Sequence, residues 1–541
     1  MSIRIALAQI NTTVGDIDGN CDKILRFIKN ARQRRAHVAV FPELALSGYP
    51  PEDLLLKKDF IKANRASLKK IIDASASILV IVGFPDSDKR GVYNAAAVIY
   101  NKRLIDVYRK IRLPNYGVFD EKRYFKPGEK VLIAPFGSGI RIAPSICEDI
   151  WPKHGPHEIA SKSGKVNVII NISASPFHAG KILQRQRLLK ERAASAKAFV
   201  CYCNAVGGQD ELVFDGGSLI YGPGGRLIAR ARQFSEEMLI VDLDMSRPAA
   251  ASGRVSRLMD PVEEVYQALV LGLKDYVRKN GFSKIVLGMS GGIDSALTAV
   301  IASEALGKEN VVAVSMPSRF SSAETKKDSK AVAKNLKIGF LTIPINKVHQ
   351  AYLVSLKKSF RGLKEDVTEE NLQARIRGTL LMALSNKFGW LVVTTGNKSE
   401  ISVGYCTLYG DTAGGFAVLK DVPKTLVYKL AGYVNEKKGF DVIPKSVIKR
   451  PPTAELKLNQ KDQDRLPPYD ILDKILEAYI EKDSSSAKMM RGGFNKKTVK
   501  EVVAMVDKSE YKRRQSPPGV KITPRAFGRD RRMPVVNKWE G

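Results

Sequence analysis

The chain has 541 residues, 44% of them apolar, and a formal net charge of +32. That length exceeds what one hydrophobic core serves and predicts two to four domains. Its apolar runs are too short for a transmembrane helix, MSIRIALAQI lacks the parts of a secretory leader, and five cysteines make no disulfide framework, so a cytoplasmic, reducing setting is expected.

Through residue 245, strand-type apolar runs alternate with helical patterns. IRIALAQIN, HVAVFPEL, ILVIVGFP, AAAVIYN, VNVIINIS, KAFVCYCNAV, GSLIYGP and MLIVDLD predict strands, and apolar residues three and four apart predict a helix over 20–35. Strands this closely spaced predict hairpins and a sandwich with helices outside. Cys201 and Cys203 form a C-x-C pair without the partner spacing of a metal site, and read as small core residues. The stretch SRPAAASGRVSRLMDPV, 246–262, reads as a linker. A helix is predicted from about 262 to 280, followed by a βα repeat built on KIVLGMS, VVAVSMPS, GFLTIPI and WLVVTTGN. Strands alternating with helices predict a parallel sheet covered on both faces. From Tyr511 the chain is dense in Pro and Arg and reads as an irregular basic tail. The fold class expected throughout is α/β.

A basic protein invites a nucleic-acid reading. Yet no aromatic-interleaved RNA motif and no zinc-finger spacing accompany the charge, so neither nucleic acid nor membrane is expected as a partner. Anionic small substrates account for it better, because of the next motif. KIVLGMSGGIDSALTAVIASEAL reads as strand, Gly-rich turn and helix. Gly291 and Gly292 permit a tight turn whose N–H groups approach an anion, at the positive end of the helix beginning near Ile293. Ser290 and Ser295 add hydroxyls. Asp294 would face phosphate only through a bridging cation, which predicts Mg²⁺. The Lys-Ser/Thr ending of a Walker loop is missing. About a hundred residues later WLVVTTGNKSE places Thr395 to reach an adenine nucleotide and Glu400 to share the metal with Asp294.

Three residues of the first half stand at strand ends: Glu43, Lys110 and Cys147. A cysteine nucleophile, a cation that lowers its pKa and steadies an oxyanion, and a carboxylate that moves the proton form a sensible set for cleaving an amide. The N–H of Glu148 is a second candidate oxyanion donor. No histidine partners the cysteine, which sets this apart from the Cys-His arrangement.

These three segments, in this order, resemble the nitrilase superfamily of carbon–nitrogen hydrolases, whose fold is an α-β-β-α sandwich. The SGGIDS string resembles the signature of ATP pyrophosphatases. With TEENLQARIRG, TTGNKSE, GDTAGGFAVLKDV and EYKRRQSPPGVKITPRAFGRDRR, the second half resembles the NAD synthetases. The resemblance implies a glutamine amidohydrolase domain over 1–245 and a Rossmann-like synthetase domain over 263–541. It implies a glutaminase triad of Glu43, Lys110 and Cys147, with Tyr116, Ser175 and Lys181 holding glutamine. ATP would lie on Gly288, Met289, Ser290, Gly291, Gly292, Ile293, Asp294, Ser295 and Thr395. Deamido-NAD⁺ would meet Asn371, Glu400, Lys512 and residues 405–408. The arginines of the tail would clamp phosphates. Ammonia freed from glutamine would pass through the protein to an adenylated acceptor, giving NAD⁺, AMP and pyrophosphate, in an oligomer formed through the synthetase domain. Another ATP pyrophosphatase amidotransferase or a tRNA-modifying enzyme stands as the alternative.

Overall fold

The computed structural model describes residues 2–137, 139–164, 166–458 and 460–539. It divides into two compact units, Met1–Met259 and Asp260–Gly541.

The first unit is built on two six-stranded sheets. One runs in the order Glu237–Asp244, Ser2–Gln9, Val38–Val40, Leu79–Asp88, Gly91–Tyr100, Arg103–Arg109. The other runs Leu227–Arg230, Leu219–Tyr221, Phe199–Asn204, Val168–Ser173, Ile140–Ile146, Ala134–Phe136. Strand alternation assigns each side chain to a layer. In the first strand Ile3, Ile5 and Leu7 enter the core between the sheets, while Ala6 and Ala8 pack outward with Ile24 and Ile28 of helix Ile17–Gln33 and Leu68 of helix Lys58–Ala74. In Phe199–Asn204, Cys201 and Cys203 enter the inter-sheet core, and Val200 and Tyr202 face Leu189 of helix Lys181–Ala196. The layers are therefore helix, sheet, sheet, helix, with hairpins such as Leu79–Asp88 against Gly91–Tyr100.

The segment expected as a linker is bound to this unit up to residue 259. Arg230 N–H donates to the Arg254 carbonyl and Ser256 N–H to the Arg230 carbonyl, both at 3.0 Å, and Ala251 is buried in the inter-sheet core. Its small residues permit close packing: a Cβ on Gly253 would stand 2.9 Å from Val241. The division falls between Met259 and Asp260.

The second unit opens with helix Pro261–Lys279 and contains a five-stranded, all-parallel sheet. Its order is Gly339–Thr342, Val311–Ser315, Ile285–Gly288, Leu391–Thr394, Phe416–Ala417. In chain order this reads 3-2-1-4-5, so the chain reverses direction across the sheet at Ile285–Gly288. Ligands of open α/β sheets bind at such a switch point, beyond the carboxyl ends of the strands. Helix Val367–Phe388 covers one face, where Ile376 and Leu381 pack with Val286, Val314 and Val392. The helix Ile293–Leu306, buried on nearly every side, belongs to the opposite layer with Pro261–Lys279 and Lys424–Lys438. Among the described residues no helix is long and apolar enough to cross a membrane.

Two candidate active sites

In the first unit Glu43, Lys110 and Cys147 are brought together and buried. Glu43 stands in the turn after Val38–Val40. Its Oε1 accepts from Lys110 Nζ at 2.7 Å and from Asn94 Nδ2 at 2.7 Å, and its Oε2 accepts from the Ala174 N–H at 2.9 Å. Three donors fix this carboxylate in one orientation. Lys110 Nζ also donates to Glu121 Oε1 at 2.8 Å, and Tyr49 Oη donates to that same oxygen at 3.1 Å. Burial works against the Lys110 charge, but Glu121 and Glu43 outweigh it and hold the ammonium well above its ordinary pKa. Glu121 itself is pushed up to about 7 by burial, against the pull of Lys110.

Cys147 follows strand Ile140–Ile146 and begins the 3₁₀ turn Cys147–Ile150 with φ of +41°. The N–H groups of a first helical turn lack intrahelical partners, which suits the Glu148 N–H to an incoming anion. The expected effect of the nearby cation is present, but burial outweighs it. Desolvation, then the negative charge of Glu43, raise the thiol well above its ordinary value, and Lys110 only partly compensates. Burial thus favours the protonated thiol at Cys147.

Asp149, two residues on, joins the cysteine turn to the lysine strand. Its Oδ1 accepts from the N–H groups of Ile111 and Arg112 at 3.2 and 2.8 Å; its Oδ2 accepts from Tyr108 Oη and the Ile146 N–H at 2.8 and 3.0 Å. Burial pushes this carboxyl up to about 6. Of the expected glutamine ligands, Tyr116 Oη donates to Glu148 Oε2 at 2.9 Å, and Lys181 Nζ lies 4.1 Å from the centre of the Trp151 ring and within electrostatic reach of Glu148. These two residues thus meet at Glu148, one residue from Cys147. Ser175 is buried, its N–H donating to Asn204 Oδ1 at 3.0 Å.

In the second unit the 288–295 loop lies at the switch point. Gly291 has φ of +88°, and a Cβ there would stand 2.2 Å from the Thr325 carbonyl, so only glycine fits. Ser290 Oγ accepts from the Gly292 N–H at 3.1 Å and lies 3.2 Å from Ser295 Oγ, which donates to the Gly292 carbonyl at 3.0 Å. These bonds shape the loop from within. A cavity of about 370 Å³ is walled by Gly288, Met289 and Ser290, by Thr395, by Asn371, and by Tyr405, Cys406, Thr407 and Lys512. Lys512 Nζ donates to the carbonyls of Gly404 and Cys406 at 2.7 and 2.8 Å, which fixes the 404–407 wall. Leu408 instead accepts from Arg375 Nε at 3.2 Å through its carbonyl.

Ser290 also borders a second cavity of about 190 Å³ with Gly292, Ile293, Asp294 and Glu400. Here Asp294 and Glu400 converge on Lys424 Nζ, which donates to Asp294 Oδ2 and, at 3.1 Å, to Glu400 Oε1. Asn397 Nδ2 donates to Asp294 Oδ1 at 3.0 Å, and Asn397 Oδ1 accepts from the Glu400 N–H at 3.0 Å. Burial raises Glu400 to about 7, with Lys424 opposing.

Glu121, Asp149 and Lys424 escape the sequence reading. Glu121 stands in the run DEKR, where nothing separates it from a solvated charge. Lys424 did carry a signal: it opens a helix, where a cation opposes the helix dipole unless something else holds it. Two arginines of the basic tail depart from expectation. Arg513 is buried against Glu510, and Arg531 is buried, 3.5 Å from Asp507 and over the Tyr479 ring. Both hold helices together, and neither borders the two cavities.

A unit with a buried Glu-Lys-Cys set in a helix–sheet–sheet–helix sandwich, and a unit with an SGGIDS loop at the switch point of a parallel sheet, define an amidohydrolase joined to an ATP-dependent ligase. The carbon–nitrogen hydrolase family matches residues 4–251 and the NAD synthase family residues 265–516. The chain is 48% identical to the glutamine-dependent NAD(+) synthetase of Thermotoga maritima, over 99% of both chains, and 46% identical to that of Aquifex aeolicus, over 99% of this chain and all of the other. The structure of glutamine-dependent NAD+ synthetase from Acinetobacter baumannii in complex with ADP is 42% identical, covers 99% of both chains and superposes with a TM-score of 0.81. The chain belongs to the glutamine-dependent NAD⁺ synthetase family.

Proposed function

We infer the following division of labour for the reaction of this family, the ATP-dependent amidation of deamido-NAD⁺ to NAD⁺ with ammonia from glutamine. The observation that carries it is the buried convergence of Glu43, Lys110 and Cys147 in the same chain as the 290–295 loop and its cavities. Glu43, the carboxylate beside the thiol, takes the Cys147 proton as sulfur attacks the side-chain amide carbon of glutamine. The Lys110 ammonium and the Glu148 N–H receive the negative charge that forms on the amide oxygen. The proton returns to the leaving nitrogen, ammonia departs, and a glutamyl thioester remains. Water, deprotonated by Glu43, then releases glutamate. Glu121 shares Lys110 with Glu43, which keeps the lysine charged while Glu43 alternates between its two protonation states. Tyr116, Lys181 and Ser175 hold the substrate's amino-acid end.

In the second unit the 288–295 loop and Thr395 hold ATP, and Asn371, Glu400, Lys512 and residues 405–408 hold deamido-NAD⁺. The nicotinate carboxylate attacks the α-phosphorus, pyrophosphate leaves, and ammonia displaces AMP. Asp294 and Glu400 fit a Mg²⁺ ion, since both already converge on one cation, the Lys424 ammonium, and two carboxylates plus substrate phosphates suit this metal. Bound there, Mg²⁺ would offset charge on the pyrophosphate. The unit also exposes Leu341, Val348, Tyr352, Val354, Met382 and Phe388, and this apolar surface supports pairing of two chains through the synthetase domain. Five free cysteines and a reaction that consumes ATP support a cytoplasmic setting.

The test is Cys147→Ala. Glutamine-supported NAD⁺ formation is lost, while formation with an added ammonium salt persists at the wild-type rate. Loss of both in a folded variant overturns the division of labour.

A further inference from the structure

The larger cavity of the second unit contains a cation that its own surroundings leave unanswered. Arg377 lies on helix Val367–Phe388, and with Ala374 and Leu381, one turn to either side, it lines the cavity wall. Its Nε donates to the Met316 carbonyl at 3.0 Å, just past strand Val311–Ser315. That bond fixes the guanidinium plane and leaves the two terminal nitrogens. Among the described residues no hydrogen bond or ion pair answers either of them, and neither is sealed from the cavity. The carboxylate whose charge acts on Arg377 is that of Glu455, and its Oε2 accepts from Thr325 Oγ1 at 2.9 Å and from the Ser322 N–H at 3.3 Å. Desolvation lowers even this guanidinium, to about 10, with Glu455 resisting.

The other shielded arginines of this unit are matched. Arg450 has Asp328, Arg513 has Glu510, and Arg531 has Asp507. A guanidinium withdrawn from bulk water with unpaired N–H groups is costly, and a bound anion would offset that cost. An anchored guanidinium with two free parallel N–H groups matches two oxygens of one phosphate or carboxylate, a geometry lysine cannot supply.

We propose that Arg377 contacts substrate, its two terminal nitrogens binding the anionic oxygens of a nucleotide in this cavity. The proposal rests on the reading of the cavity as the nucleotide site. Both nucleotide substrates bring phosphates, so the source of the oxygens is either ATP or deamido-NAD⁺.

The experiment uses the full chain as wild type, Arg377→Gln and Arg377→Met, the last keeping the aliphatic stem should the first not fold. Adenosine and ADP are titrated calorimetrically, and the KM for deamido-NAD⁺ is measured in the ammonium-supported reaction. The expected result is ADP affinity about ten- to a hundredfold weaker, with adenosine affinity within about twofold of wild type and an unchanged melting temperature. An ADP affinity that holds while the KM for deamido-NAD⁺ rises by that factor also supports the proposal and assigns the oxygens to the second substrate. Parallel weakening of adenosine and ADP without a change in that KM overturns it, since Arg377 would then only shape the pocket. No change in either ADP affinity or KM overturns it too. Failure of the wild type to bind ADP removes the nucleotide reading of the cavity, and the proposal with it.

Discussion

Gly83 lies in strand Leu79–Asp88, directly under the turn that carries Glu43. Its φ is not in the left-handed region, so its backbone admits alanine and only space decides. A Cβ there would stand 2.3 Å from the Leu44 nitrogen, 2.5 Å from the Pro42 carbonyl oxygen and 2.7 Å from the Glu43 carbonyl carbon. All three are backbone atoms of one turn, so no flexible side chain can yield. To reach ordinary contact the turn must retreat by about 1 Å. Glu43 is held at 2.7, 2.7 and 2.9 Å by Lys110, Asn94 and the Ala174 N–H, and a shift of that size takes these bonds to or past the limit of hydrogen bonding. A misplacement of about 1 Å in a catalytic group costs on the order of 100-fold in rate, and overpacking costs about 1–3 kcal/mol of stability. Gly83→Ala should therefore lower kcat/KM for glutamine hydrolysis about 100-fold, lower the melting temperature of the first unit, and leave ammonium-supported NAD⁺ formation intact. Glutamate release by coupled assay and a thermal melt give both readouts. Glutamine hydrolysis within twofold of wild type, with an unchanged melt, would show that the contact at Gly83 does not position Glu43.

Asp149→Asn turns two of four accepted bonds into donor-against-donor contacts and frees the Ile111–Arg112 strand end from the cysteine turn. Glutamine hydrolysis should fall about tenfold or more while ammonium-supported activity holds, and equal loss of both would count against a positioning role. Glu121 is raised to about 7 in the fold, above its unfolded value, so the folded chain binds the proton more tightly. Its contribution is thus largest at low pH and declines as pH rises from about 4.5 through 7. Denaturant titrations across that range should show Glu121→Gln lacking this slope, and parallel pH curves would refute it. Lys424→Met leaves Asp294 and Glu400 facing one another without their ammonium. Adenylation, read as AMP release with ammonium as nitrogen donor, should drop at least about 100-fold, whereas glutamine hydrolysis with deamido-NAD⁺ absent should not move. Chelation of Mg²⁺ should abolish AMP release and spare the same hydrolysis.

What could be read from residues alone followed a physical pattern. Alternation in Ser2–Gln9 and Phe199–Asn204 is a local signal, and it assigned Cys201 and Cys203 to the core where they stand. The SGGIDS turn was legible because two glycines between a strand and a helix are a local signal, although the backbone contact that demands Gly291 is with Thr325, far along the chain. The order 3-2-1-4-5 was not legible, since strands of similar apolar character carry no label for their neighbours. Glu121 and Asp149 owe their roles to burial against Lys110 and to backbone N–H groups far along the chain, which no spacing reports. Residues 246–259 look like a linker by composition, yet the same small residues suit a strap lying flat on a sheet. The arginines near the C-terminus illustrate the converse error. The family resemblance suggested phosphate, but Arg513 and Arg531 find carboxylates within their own unit, while Arg377, unremarkable in TEENLQARIRG, does not.

Cys147 pays for its place at the strand end with a φ of +41°, a conformation that disfavours any residue bearing a Cβ by about 1 kcal/mol and spares only glycine. Backbone strain and side-chain packing therefore pull on this position in opposite directions. A screen that rewarded only heat resistance would recover that backbone cost with glycine at 147 but would lose the packing of a side chain buried in the inter-sheet core. On the division of labour proposed above, any chain such a screen delivered without the sulfur would live on free ammonia and be indifferent to glutamine.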